Sequence, residues 1–133
     1  MLNRYSTDWG LLIIRLVLGA AFIMHGYPKI AGGPEMWTSI GLTMKTLHID
    51  FAPVFWGLMA SLAEFAGGVC LVLGFLFRPA LALMIFTMFV AAFSTYAGGG
   101  GYNDYSHAAE DGIIFLGLFI AGPGKYALKI VRR

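Results

Sequence analysis

Four uninterrupted apolar runs set the pattern of this chain: roughly Trp9 to Met24, Pro53 to Phe77, Ala80 to Tyr96 and Ala108 to Ala121. Each is helix-length, and none shows the alternation of a membrane β-strand. A spanning helix needs ~20 mostly apolar residues, so the end runs recruit flanking positions, Gly26 and Tyr27 for one, Ser106 and His107 for the other. The pattern predicts spans at about 9–26, 53–77, 80–97 and 107–121. The expected fold is all-α, an integral membrane four-helix bundle forming a single domain over 1–133.

The polar stretches between the runs predict the connections. Gly26 and Pro28 punctuate the end of the first span. Between Tyr27 and Asp50, Met36, Trp37, Ile40, Met44 and Leu47 share one helical face, as in a short amphipathic helix lying in the interface of the first outer loop. An irregular cap on the bundle fits the same residues. Arg78 and Pro79 leave almost no loop between the second and third spans, which must be antiparallel neighbours. The segment AGGGGYNDYSH is a flexible connection, and Gly122 with Pro123 stops the last helix. Glu110 and Asp111 suit the positive end of that helix's dipole.

Composition narrows the class. With 59% hydrophobic and 12% charged residues in 133, and a mean hydropathy of +0.76, the chain is too apolar for an ordinary soluble domain. Cys70 is the single cysteine, which excludes an internal disulfide and a Cys-x-x-Cys relay. The net charge of +2 comes largely from the tail KYALKIVRR. That tail is too short for a nucleic-acid arm, so no nucleic-acid partner is expected, and it suits anionic headgroups instead. A signal peptide is disfavoured because Arg15 interrupts the first apolar core. With four spans, Arg4, Arg78, Lys125, Lys129, Arg132 and Arg133 fall on one side and only Lys29 and Lys45 on the other. The positive-inside rule then makes both termini cytoplasmic.

Two charges lie inside the spans, where an ionisable group is expensive and marks a site by default. Counted at ~1.5 Å per residue, Arg15 is about 9 Å from the inner end of the first span and Glu64 roughly 16 Å from the outer end of the second. Across a ~30 Å core those depths are close enough for an ion pair. The expectation is an Arg15–Glu64 contact, either a structural strut or the polar floor of a cavity. Arg15, Gly19, Phe22 and Gly26 form one stripe, Ala60, Glu64, Gly67 and Gly68 a second, and Glu110, Gly117 and Ala121 a third. Small residues on each let helices approach closely. Nearer the outer end, His25, Lys29, His107, Glu110 and Asp111 fall at similar depth. They suit a polar headgroup or a proton relay. No helical His pair is present, and no metal site is predicted.

Three blocks carry a resemblance: RLVLGAAFIMHGYPKI from Arg15, AEFAGGVCLVLGFLFRPALAL from Ala63, and EDGIIFLGLFIAGPGKYAL from Glu110. In order and at this spacing they resemble the DoxX family of small four-helix bacterial membrane proteins. The resemblance singles out Arg15, Gly19, His25, Gly26 and Lys29; Glu64, Gly67, Gly68 and Gly74; and Glu110, Gly122, Gly124 and Tyr126. It departs at Lys129, where the family pattern has an acidic residue. It implies a multi-pass protein of the bacterial cytoplasmic (inner) membrane, in the neighbourhood of thiosulfate:quinone and thiol-redox complexes. The candidate ligand-binding or buried polar residues are Arg15, Glu64, His25, Lys29 and Glu110, with His107 added by the depth count alone; no catalytic residue is assigned.

Three functions remain open on the sequence. A quinone-binding or quinone-reactive subunit would use an apolar slot, a hydrogen-bond donor and a proton acceptor. The chain has no recognisable haem, flavin or cysteine redox centre, so electrons would come from a redox partner. A non-catalytic anchor or assembly factor for such a complex is the second reading. Transport of a small solute or proton is the third, and four spans would favour a homo-oligomer for it.

Overall fold

A computed structural model describes residues 3–128, and among them every regular element is helical. The order is α1 (Arg4–Ala31), α2 (Gly33–Gly41), a 3-10 run (Leu42–Leu47), α3 (Pro53–Leu73), α4 (Phe77–Ala97) and α5 (Tyr102–Ala121). Helices α1, α3 and α4 are long and apolar enough to cross a membrane. Helix α5 has 20 residues, but Asp104, Glu110 and Asp111 lie in its first half, which leaves only its second half uniformly apolar. The positive-inside residues Lys129, Arg132 and Arg133 lie outside the described residues.

Several boundaries differ from the sequence reading. Helix α1 does not stop at Gly26 and Pro28 but continues to Ala31 with Pro28 inside it. Proline removes one backbone bond from a helix. The turn around it is fixed by its neighbour: the Lys29 ammonium bonds Glu64, and its carbonyl accepts from Trp37 Nε1 at 3.0 Å. Helix α3 ends at Leu73 rather than near Phe77, because Gly74 takes the left-handed conformation (φ 71°) that closes many helices. Arg78 and Pro79 therefore lie in the first turn of α4, not between helices. The 27–50 connection is helical, but Gly41 ends α2 and the chain tightens into the 3-10 run.

Glycines set the helix crossings. A Cβ on Gly19 would come 2.8 Å from the Gly68 carbonyl, and one on Gly26 would come 2.6 Å from the Phe65 nitrogen, so α1 and α3 touch backbone to backbone. Helix α2 crosses α3 even more closely, since side chains at Gly41 and Gly57 would overlap the Pro53 and Trp37 carbonyls. Gly67 receives Met84 of α4. Between the helices, Phe22, Leu71, Phe77, Leu81, Met84, Met88, Phe115 and Leu118 form the core. Phe22 and Phe115 meet edge to face at 4.9 Å and link α1 with α5. The opposite faces expose Ile13, Val17, Leu83, Phe89, Ile113 and Ile120, as expected where lipid replaces water.

Candidate functional site

The buried side of α3 is one stripe: Gly57, Ser61, Glu64, Gly67, Gly68 and Leu71. Its spacing follows the helical repeat, so the carboxylate faces inward with the small residues. Glu64 is 5% exposed, and its partner is Lys29 of α1, whose Nζ lies 2.9 and 2.8 Å from the two carboxylate oxygens. Lys29 is half-buried. The ion pair thus joins α1 to α3 with the ammonium reaching back toward the boundary, the habit of a snorkelling lysine.

The expected Arg15–Glu64 contact is not formed. Gly19 lies level with Gly68 and Val72, and Gly26 with Phe65. Glu64 is therefore level with the last turns of α1, and Arg15 is three turns or more away, at least about 16 Å along α1 at the helical rise. The depth count erred because α1 begins at Arg4 and runs to Ala31, while α3 ends at Leu73, so the facing register slides.

Arg15 instead meets only carbonyls. It is 1% exposed, and donates from Nε to Leu71 (3.0 Å), from one terminal nitrogen to Val72 (2.9 Å), and from the other to Pro123 and Tyr126 (both 2.9 Å). The last turn of a helix has carbonyls without intrahelical partners and carries the negative end of the dipole. The guanidinium satisfies those groups on α3 and binds the 123–126 segment to them. Around this knot, the Leu128 amide donates to the Leu73 carbonyl, the Lys125 amide donates to Asp8 at 3.0 Å, and Arg78 donates to the Phe119 carbonyl. The N-terminal part of α1, the α3–α4 turn and the segment after α5 are tied at one end of the molecule.

Beside the ion pair runs an apolar groove of about 660 Å³. Its walls are the 3-10 run (Thr43, Met44), α3 (Trp56, Met59, Ala63, Cys70) and α4 (Leu83, Phe86, Val90), and both Lys29 and Glu64 border it. The exposed Met59, Leu83 and Phe86 place its mouth on the lipid-facing side. A slot of this size with one polar pair has the composition of a small-molecule site.

Of the remaining sequence candidates, His25, His107 and Glu110 lie within electrostatic reach of Asp111, and none of them bonds Lys29 or Glu64 among the described residues. His25 is exposed and rests edge-on against Phe22 at 6.2 Å. His107 projects outward, 3.7 Å from Asp111 one turn on, and Glu110 is exposed and accepts from the Tyr102 hydroxyl at 3.2 Å. Among the described residues no group of His, Cys, Asp and Glu is placed to hold a metal ion. The structural glycines have definite neighbours. Gly74 packs on Arg15 and Ala127, while Gly122 (φ 84°) and Gly124 (φ 79°) shape the turn after α5. Tyr126 supplies a carbonyl to Arg15 and its ring to Trp9, 5.1 Å away. Sequence reasoning missed Gly41, Gly57, Ser61 and Trp37. The Gly57-x-x-x-Ser61 spacing in phase with Glu64 was the available signal; nothing local marked Trp37 as a ligand of the Lys29 carbonyl.

No curated protein and no solved structure matches this chain. The DoxX family model matches residues 10–97, which takes in α1 from Gly10 onward, α2, α3 and α4, the Lys29–Glu64 pair and every wall of the groove. That match covers about two thirds of the sequence, and the chain belongs to the DoxX family.

Proposed function

We propose that this protein is a redox-associated membrane subunit that binds a quinone-type molecule in the groove between the 3-10 run, α3 and α4. The observation that carries the reading is the Lys29–Glu64 pair on the wall of an apolar slot. A quinone head needs a proton donor and acceptor at the edge of an apolar surface, and its tail needs a lateral exit into lipid. The reading takes α5 as the fourth span, with both termini on the cytoplasmic side of the inner membrane. Arg4, Arg78 and Lys125 at the tied end support that orientation. In this reading electrons come from a redox partner. An anchor or transport role has no comparable feature in its favour.

The test separates a site from a strut. Removing one partner of a buried pair leaves a charge unpaired, whereas removing both does not. Wild type, Glu64→Gln and the double variant Lys29→Met/Glu64→Leu are released from lipid nanodiscs for native mass spectrometry, with organic extraction of whatever co-purifies. A stoichiometric quinone in wild type, lost from a double variant that remains folded, is the expected result. Equal occupancy in the folded double variant would make the pair structural and refute the reading.

A further inference from the structure

The hydrogen-bonding groups along the groove are unevenly committed. Thr43 gives its hydroxyl proton to the Ile40 carbonyl, Ser61 to Gly57 and Thr87 to Leu83, each at 2.7 to 2.8 Å. Both oxygens of Glu64 are taken by Lys29. The donors left for an occupant are the third N–H of the Lys29 ammonium and the indole N–H of Trp56. Among the described residues, Trp56 Nε1 is the one buried side-chain polar atom without a partner. The other two tryptophans differ: Trp37 donates to the Lys29 carbonyl, and Trp9 is exposed.

A buried donor without a partner is costly, and more so where no water can replace it. Trp56 is donor-only, so it is satisfied by an acceptor alone. Two aromatic rings meet its indole nearly edge to face, Phe51 at 6.0 Å and Phe55 at 5.2 Å between centroids. Both rings are at the surface, 68% and 50% exposed. Trp56 stands two turns before Glu64 on the same helix, about 12 Å along its axis. The groove therefore offers donors at two levels and apolar wall between them.

We propose that the groove recognises its occupant through a carbonyl-type hydrogen-bond acceptor, and that Trp56 is the specificity-determining residue that reads it, with Lys29 as the second donor. This rests on the groove being the ligand site named above. It adds the requirement that an apolar molecule of the same shape without the acceptor is bound without engaging Trp56.

The experiment uses the full chain in nanodiscs, labelled with nitrogen-15 at the three indoles, and two probes: a decyl-substituted 1,4-benzoquinone and decylbenzene. The rate of Cys70 alkylation reports groove occupancy independently, because that thiol lines the groove. The quinone is expected to slow Cys70 alkylation and to move the Trp56 indole resonance while leaving that of Trp9 in place. Decylbenzene should leave the Trp56 resonance where it is. Trp56→Phe keeps an aromatic side chain and removes the donor, and should weaken quinone binding roughly tenfold without changing decylbenzene binding. If the quinone protects Cys70 but the Trp56 resonance stays fixed, or Trp56→Phe binds it equally well, the role of Trp56 is overturned and the groove reading stands. If the quinone neither protects Cys70 nor moves an indole, the groove reading fails and this proposal falls with it. The wild-type resonance decides the matter even if the variant does not fold.

Discussion

At the scale of single residues, the two intramembrane charges solve the same problem by opposite means. Glu64 is neutralised by a counter-ion, and Arg15 is solvated by backbone carbonyls, two at the end of α3 and two in the 123–126 segment. The sequence reading identified both as interior and costly, but paired them with each other. Residue type and depth reveal that a charge needs a partner; which partner depends on helix register, and four free carbonyls are not visible in a sequence. The consequence is testable. Arg15→Lys retains the charge but cannot span carbonyls from two segments with a planar fork. It should cost on the order of 3 kcal/mol, read as a lowered midpoint of thermal unfolding in detergent. Arg15→Gln should cost at least as much, and an unchanged midpoint in both would show the knot to be idle. At the other end, the exposed Tyr102 phenol is held above its usual pKa by its hydrogen bond to Glu110 and by that carboxylate's charge. Ionising the phenol loses the bond and sets two negative charges together. Glu110→Gln should therefore shift the tyrosine titration, followed by ultraviolet absorbance, toward lower pH.

Among the elements, the apolar runs were legible because a continuous apolar stretch of that length has few other uses. Their ends are less legible: Pro28 reads as a stop in the sequence, yet α1 continues past it because tertiary bonds hold Lys29. The short helix after α1 was half legible. Its apolar phase is present, but the break at Gly41 and the contact with Gly57 come from packing on α3, which periodicity does not encode. That crossing also positions the ion pair, since α2 carries the Trp37 indole that holds the Lys29 carbonyl. Gly57→Ala should lift α2 from α3 and loosen this tie. The expected sign is faster amide exchange across 33–47, measured by mass spectrometry, with α4 and α5 unchanged. Exchange that stays at wild-type rates would mean that α2 is held by other contacts.

For the whole molecule, the main consequence of the fold is that one end is tied and the other carries the connections. Asp8, Arg15, Arg78 and the 123–128 segment are joined at the first end, whereas α2, the 3-10 run and the 98–101 connection belong to the second. In a bilayer this leaves the groove opening sideways, the route from lipid that the proposed occupant requires. The proposed orientation puts the tied end, where Arg4, Arg78 and Lys125 gather, toward the cytoplasm. Single cysteines introduced in a Cys70→Ala background test this directly. Ser39 and Asn103 are exposed at the second end, and Asn3 and Lys125 at the first. With a membrane-impermeant maleimide on right-side-out vesicles, Ser39→Cys and Asn103→Cys should be labelled, while Asn3→Cys and Lys125→Cys should react only after the membrane is opened. The inverse pattern would reverse the orientation and leave the spans intact. Labelling of Asn103→Cys together with Lys125→Cys in sealed vesicles would mean that α5 does not cross, and its acidic first half would then be the reason.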